Sequence, residues 1–250
     1  MTPAARERLR VRVPVLCACA AAWILLVAGP GGTAAHAHHA AAIPGTILGT
    51  ISGTILGAMP LALGWALMLV AMMAPLLTAP VRHVRDRSFA RRRARAVALF
   101  VAGYGAIWSA AGAALLTVAL AGRRSAPESS VPVALATLIA LVWQFSPAKQ
   151  SCLNRCHAHA ELAAFAPAAD LGALRFGLTH GIWCVGSCWA LMLLPLLVSR
   201  GHLAAMAAVT LWILAERLER PMPPGWRWRG PGKAVRLVVA QSRLRLRART

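Results

Sequence analysis

Residues Thr179 to Leu197 read THGIWCVGSCWALMLLPLL, and this stretch decides the fold class of the chain. It is apolar and long enough to cross a bilayer as a helix. Within it, a residue with a sulfur or imidazole ligand atom recurs at every fourth position: His180, Cys184, Cys188 and Met192. On an α-helix that spacing places the side chains in one slowly drifting stripe. We therefore expect a membrane helix that presents a row of candidate metal ligands on one side.

The composition places the chain among polytopic membrane proteins. Of its 250 residues, 58% are hydrophobic, and the mean hydropathy is +0.61. Both values exceed those of an ordinary soluble domain. Lys and Arg number 27 against 7 acidic residues, which gives a net charge of +20. Because these charges lie between long apolar runs, we attribute them to membrane topology and contact with anionic lipid, and we expect no nucleic-acid partner.

Six apolar segments predict an all-α transmembrane bundle of about six spans. They cover residues 13–28, 60–78, 97–121, 131–145, 174–198 and 203–218. The segments on one side of these spans hold 24 Lys and Arg, and those on the other side hold 3. Since cytoplasmic loops are enriched in Lys and Arg, this asymmetry predicts a bacterial-type inner-membrane protein with both termini in the cytoplasm. Gly103, Gly105 and Gly112 are expected to be close-packing points of the third span.

The chain divides into three predicted regions. Residues 1–58 hold a basic segment, the first apolar helix and an outer loop with His36, His38 and His39, residues 59–219 form the metal-binding bundle, and residues 220–250 form a basic cytoplasmic tail. The basic start, short apolar core and small residues within positions 1–35 also fit a cleaved signal peptide. Both interpretations stay open, and we favour the uncleaved helix. The histidine loop is either a weak divalent-metal site or a solvated loop.

Two cysteine pairs with CxxxC spacing are the main candidates for chemistry. Cys184 and Cys188 lie one helical turn apart inside an apolar segment, where reactive groups are functional candidates. Two thiolates bind Cu(I) tightly at low coordination number, whereas Zn²⁺ prefers four ligands. Cys152 and Cys156 lie in an expected loop at 146–172. If that segment is helical, they share a face with His159, and they form either a metal site or a redox pair. For both pairs, ordinary packing is the alternative.

Thioethers and one carboxylate complete the candidates. Met68 and Met72 share a face of the second span, next to Met73. Methionine sulfur suits Cu(I), although a methionine stripe in an apolar helix is more often packing. Glu216 ends the sixth span and could accept a proton, bind a hard metal ion or pair with Arg217.

Taken together, these residues resemble the predicted metal-binding integral membrane proteins known as domain of unknown function 2182. Three blocks carry the resemblance in the family's order: residues 65–75 (WALMLVAMMAP), 143–156 (WQFSPAKQSCLNRC) and 181–192 (GIWCVGSCWALM). The similarity covers roughly residues 58–219. The chain departs from the family in the third block, where two adjacent cysteines are common and this sequence has Ser187 before Cys188.

The resemblance implies an inner-membrane helical bundle that acts as a copper chaperone for extracytoplasmic copper enzymes. The metal-ligating residues it implies are Met68, Met72, Met73, Cys152, Cys156, Cys184, Cys188, Met192 and Glu216. The cargo is then Cu(I), and the expected partners are membrane lipid and a copper-receiving protein. We expect no enzymatic activity, and the oligomeric state is not indicated.

Two other functions are compatible with the same residues. The first is a membrane thiol–disulfide oxidoreductase that uses both CxxxC pairs. Its weakness is the expected separation of the pairs, one on the cytoplasmic side and one within the membrane. The second is a scaffold subunit with incidental cysteines. The chain has no GxxxxGK[ST] loop, which argues against ATP-driven pumping by this chain alone.

Overall fold

The computed structural model describes residues 3–28, 47–125, 129–163, 165, 167–198, 201–228, 230 and 232–247. Within these ranges it is helical and contains no strand, which confirms the all-α class. The α-helices are α1 (Pro3–Ala28), α2 (Ile47–Met73), α3 (Thr78–Asp86), α4 (Arg93–Ser125), α5 (Val131–Phe145), α6 (Pro147–Arg155), α7 (Ala168–Leu197), α8 (His202–Leu218) and α9 (Gly232–Arg247). Short 3₁₀ turns cover Ala74–Leu77 and Ala90–Arg92. The histidine loop around His36 lies outside the described residues.

Among the described residues, fewer than six helical segments have the full length and hydropathy of a membrane span. In the described part of the chain, 4 helical segments are long and apolar enough to cross a membrane: Leu9–Ala28, Leu61–Asp86, Ala90–Ser125 and Ala168–Leu197. Helices α5 and α6 meet at an angle of 68° and provide a fifth if they are counted as one broken span. Helix α8 has only 17 residues, whereas a full span takes about 20. The sixth predicted segment is therefore a helix, but a short one.

The chain folds as two compact units, residues 1–79 and 80–250. In the first unit, a proline frees a backbone carbonyl. The carbonyl of Ala71 would normally accept the N–H of residue 75, but Pro75 has none. The Ala71 oxygen instead accepts hydrogen bonds from Trp23 Nε1 and Cys19 Sγ, each at 3.1 Å. Two side chains of α1 thereby satisfy a polar group at the end of α2 that would otherwise be costly to bury.

In the second unit, α4 and α7 pack at backbone contact distance. A Cβ added at Gly177 would lie 2.1 Å from the Phe100 carbonyl oxygen, and one added at Gly103 would lie 2.6 Å from the Leu174 carbonyl oxygen. Only glycine permits such an approach, as in the small-residue interfaces of membrane helices. The prediction for Gly103 is confirmed. The prediction for Gly105 is wrong, because a Cβ there meets no atom within 4 Å.

The segment expected to be a loop begins instead with helix α6. Ser146 has extended backbone, and its Oγ accepts the N–H of Lys149 at 3.1 Å. Pro147 occupies the first turn, where a missing N–H costs nothing. This Ser-Pro start lets a second helix begin directly after α5 in a new direction. Cys152 lies on α6, and Cys156 is the residue that caps its C-terminus.

Candidate metal site

Helix α7 carries the whole predicted stripe and places it in the protein interior. Cys184 and Cys188 are each 1% exposed, and His180 and Met192 are also buried. The His180 ring lies among aromatic side chains, with ring centroids 5.7–6.1 Å from those of Phe100, Tyr104 and Phe176. The predicted ligand row is therefore a buried row, in which two sulfur atoms lie on successive turns of one helix.

Cys184 is the centre of the polar contacts in this row. Its Sγ lies 3.3 Å from the Tyr104 hydroxyl. Arg217 Nη2 donates to the same sulfur at 3.4 Å and to Ser187 Oγ at 3.5 Å. One turn along, Cys188 Sγ donates to the Cys184 carbonyl oxygen at 3.0 Å. Helix α8 thus brings a guanidinium cation to the thiol, and α4 brings a hydroxyl group.

The second cysteine pair reaches the same stretch of α7. The thiol of Cys156 is buried and interacts with Cys184. A Cβ added at Gly186 would lie 2.7 Å from Cys152 Sγ, so this sulfur packs on the α7 backbone at the same level as Cys184 and Cys188 but on a different face of the helix. The expected separation of the two pairs is wrong, because the bend between α5 and α6 turns α6 against α7. We refer to Cys156, Cys184 and Cys188 as the thiol cluster.

The ligand count in the cluster fits a metal ion of low coordination number. Among the residues that the structure describes, no three His, Cys, Asp or Glu side chains are grouped closely enough to hold one metal ion. The described residues therefore form no tetrahedral zinc site. All six cysteines are free thiols, and Cu(I) accepts as few as two thiolates. The chemistry of the buried pair on α7 fits Cu(I) best.

Glu216 is engaged by a buried lysine. Both side chains are about 3% exposed, and Lys149 Nζ lies 2.7 and 2.9 Å from the two carboxylate oxygens. Trp212 Nε1 also donates to the carboxylate at 3.0 Å, and the amide of Gln144 hydrogen-bonds both charged groups. Glu216 therefore pairs with Lys149 and not with Arg217. Its assignment as a metal ligand stays a prediction.

The remaining candidates lie elsewhere in the two units. Met68, Met72 and Met73 belong to the first unit and are buried at the end of α2. His159, expected beside the loop cysteines, lies instead against His83, with ring centroids 4.8 Å apart. Partial burial and the neighbouring His83 lower the pKa of His159, which keeps its ring neutral to lower pH. The ligand roles of Met68, Met72 and Met73 also stay a prediction.

Three polar residues at the cluster were not identified from the sequence as part of it. Tyr104 is the only tyrosine of the chain and lies in an apolar span, which is a signal that could have marked it. From the sequence, Arg217 is a topology charge and a possible partner of Glu216, and Ser187 is a departure from the family pattern. Sequence spacing could not show that α8 ends beside α7, so the contact of Arg217 with the thiols was not predictable.

Comparison with known proteins identifies the family. A profile of the family described as PpoB2, copper chaperone, matches residues 62–239, well over half of the chain. No curated protein matches the chain, and no solved structure does. The matched range contains the thiol cluster and every ligand that the family resemblance implies, but not the histidine loop at residues 36–39. This chain belongs to the PpoB2 family of copper chaperones and has a role in handling copper.

Proposed function

We propose that the protein is an integral membrane chaperone that binds Cu(I) between Cys184 and Cys188 and passes it to a copper-receiving protein outside the cytoplasm. The observation that carries this proposal is the pair of buried thiols on successive turns of α7, with the Arg217 guanidinium at one of them. Membership of a copper chaperone family supports copper as the cargo. The chain acts as a carrier and catalyses no reaction.

Membrane integration is supported by the apolar helices and by the charge pattern. Four segments of the described chain, or five with the bent pair, have the length and hydropathy of spans. Lys and Arg fall mostly in the segments expected on the cytoplasmic side. The outward surface of α5 is apolar, with Leu135, Leu138 and Val142 exposed, as contact with lipid tails requires. We place the protein in a bacterial-type inner membrane on these grounds.

Binding follows from the acid–base chemistry of thiols in an apolar site. A buried thiolate is costly on its own, so forming two of them in an apolar site requires positive charge, which the bound metal ion supplies. One Cu(I) ion that displaces two protons from Cys184 and Cys188 forms a two-coordinate bis-thiolate. The protons leave to solvent.

Transfer would proceed by ligand exchange along the stripe. Met192 lies one turn beyond Cys188 and His180 one turn before Cys184, so neighbouring ligands are about 6 Å apart along the helix axis. Cys156, which caps the C-terminus of α6, adds a buried thiol that interacts electrostatically with Cys184. Copper would exchange one ligand for the next along this row, and each exchange needs side-chain movement, because no three described His, Cys, Asp or Glu side chains are grouped closely enough to hold one ion. Cys152 and Glu216 are further proposed ligands of the second unit, and Met68, Met72 and Met73 are proposed ligands of the first unit, considered separately.

The test is anaerobic Cu(I) binding by the purified protein in detergent. We expect one tightly bound copper per chain in the wild type and loss of this copper in the Cys184→Ser/Cys188→Ser variant. A Cys17→Ser/Cys19→Ser variant is the matched control, because it also removes two thiols from an apolar helix but leaves the cluster intact. It should bind copper as the wild type does.

Two outcomes would contradict the proposal. Equal copper binding by the wild type and the Cys184→Ser/Cys188→Ser variant would remove the site from α7. No copper in either, together with a redox-active disulfide on thiol titration, would favour the oxidoreductase alternative.

A further inference from the structure

The guanidinium of Arg217, a half-buried residue, faces sulfur atoms where an arginine would ordinarily face a carboxylate. Its Nη2 reaches Cys184 and Ser187, and its Nε is shielded from solvent. Asp170 pairs with Arg92 and Arg95, Glu216 pairs with Lys149, and Arg217 takes part in none of these ion pairs. The adjacent Glu216 is already paired with Lys149. The guanidinium thus carries a positive charge that no described carboxylate neutralises at hydrogen-bond distance.

The charge of a copper-loaded pair matches this cation. Cu(I) carries one positive charge and two thiolates carry two negative charges, so the bis-thiolate centre is a monoanion. Together with Arg217 the centre is neutral, which is the favourable state for a buried group. A divalent ion at the same two thiolates gives a neutral centre and leaves the charge of the half-buried Arg217 uncompensated beside the buried thiols.

We propose that Arg217 is the counter-cation of an anionic bis-thiolate centre and makes the site selective for monovalent over divalent soft metal ions. The inference rests on the proposed function and deepens it. Arg217 does not bind the metal. It donates a charge-assisted hydrogen bond to the Cys184 thiolate, which holds that sulfur in place and stabilises its negative charge.

The test separates the effect of the metal ion's charge from the effect of its softness. It compares the monovalent soft ions Cu⁺ and Ag⁺ with Cd²⁺, which is soft but divalent. Dissociation constants are measured by competition with chelators for the wild type, Arg217→Met and Arg217→Lys. Arg123→Met serves as the matched control, because Arg123 also lies against α7 and donates to the Leu196 carbonyl at 2.7 Å. That contact is at the C-terminal end of α7, away from the thiols.

We expect Arg217→Met to weaken Cu⁺ and Ag⁺ binding by about 30-fold or more, the effect typical of removing one partner of a buried charge pair. Cd²⁺ binding should stay unchanged or become tighter. Arg217→Lys keeps the charge and should keep the preference for monovalent ions, and Arg123→Met should resemble the wild type.

Equal Cu⁺ affinity in Arg217→Met and the wild type would overturn the inference and leave the proposed function standing. Parallel losses for Cu⁺, Ag⁺ and Cd²⁺ would also overturn it, because they indicate a structural role. If Arg217→Met does not fold, the metal selectivity of Arg217→Lys becomes the test of the inference. A folded Arg217→Lys variant that loses the preference for monovalent ions would contradict charge compensation. Failure of the wild type itself to bind Cu⁺ would overturn the proposed function as well.

Discussion

Replacing Lys149 by methionine is expected to lower the free energy of unfolding by about 3–5 kcal/mol. The variant leaves the Glu216 carboxylate buried without its cation, and only neutral donors from Gln144 and Trp212 remain. A buried charge without a partner is far more costly than a missing surface ion pair. Denaturant titration in detergent, followed by circular dichroism, measures the change.

Two further variants decide whether charge is the cause. Adding Glu216→Leu to Lys149→Met removes the unpaired carboxylate and should recover much of the lost stability, since apolar replacement of both partners is often tolerated. Arg95→Met is the exposed control. Arg95 pairs with Asp170 at 2.9 Å but is 69% exposed, so its loss should cost about 1 kcal/mol or less. Similar losses from Lys149→Met and Arg95→Met would contradict the buried-pair interpretation.

The Gly177→Ala variant is expected to cost about 1–3 kcal/mol or more. Its new methyl group would lie 2.1 Å from the Phe100 carbonyl oxygen. Because the obstacle is backbone, no side-chain rotation relieves the clash, and α4 and α7 must move apart. That movement also displaces Tyr104 from Cys184, so we expect weaker Cu(I) binding together with the lower midpoint of unfolding.

Gly105→Ala makes the same chemical change on α4 in open space, with no atom within 4 Å of the new Cβ. It should be neutral or stabilising by roughly 0.5–1 kcal/mol, since alanine restricts the unfolded chain more than glycine does. Thermal unfolding of the two variants side by side gives the comparison. A destabilised Gly105→Ala, or a Gly177→Ala as stable as the wild type, would show that the close contact of α4 and α7 is incorrect.

The two predicted effects are linked to function through α8. The pair of Lys149 and Glu216 fixes the end of α8 against α6, and Arg217 is the next residue along the chain. A shift of α8 that follows the loss of this pair should therefore also move the guanidinium away from Cys184. The buried ion pair stabilises the fold and positions the cation that we assign to the metal site.

The periodicity of the sequence correctly predicted features that lie within a single helix, such as which side chains share one face. The spacing of His180, Cys184, Cys188 and Met192 was sufficient to place them on one buried side of α7. Apolar run lengths likewise predicted an all-helical chain. The span count was less accurate, because hydropathy does not distinguish a helix of 17 residues such as α8 from a full span.

Contacts between helices were not predictable in the same way. The Ser146-Pro147 start of α6 is a recognisable helix signal, but the segment was assigned to a loop and its cysteines to a separate site. Nothing in the sequence pattern indicated that α6 would turn against α7 at Gly186. The pairing of Glu216 with Lys149 depends on where α6 and α8 meet, and only the tertiary structure shows this.

The central claim is that copper lies between two buried thiolates of α7, and X-ray absorption at the copper edge of the Cu(I)-loaded protein tests it most directly. We predict a two-coordinate Cu(I) spectrum with sulfur as the only nearest neighbour, and loss of that spectrum in the Cys184→Ser/Cys188→Ser variant. A spectrum dominated by nitrogen or oxygen ligands, or an unchanged sulfur spectrum in that variant, would contradict the assignment.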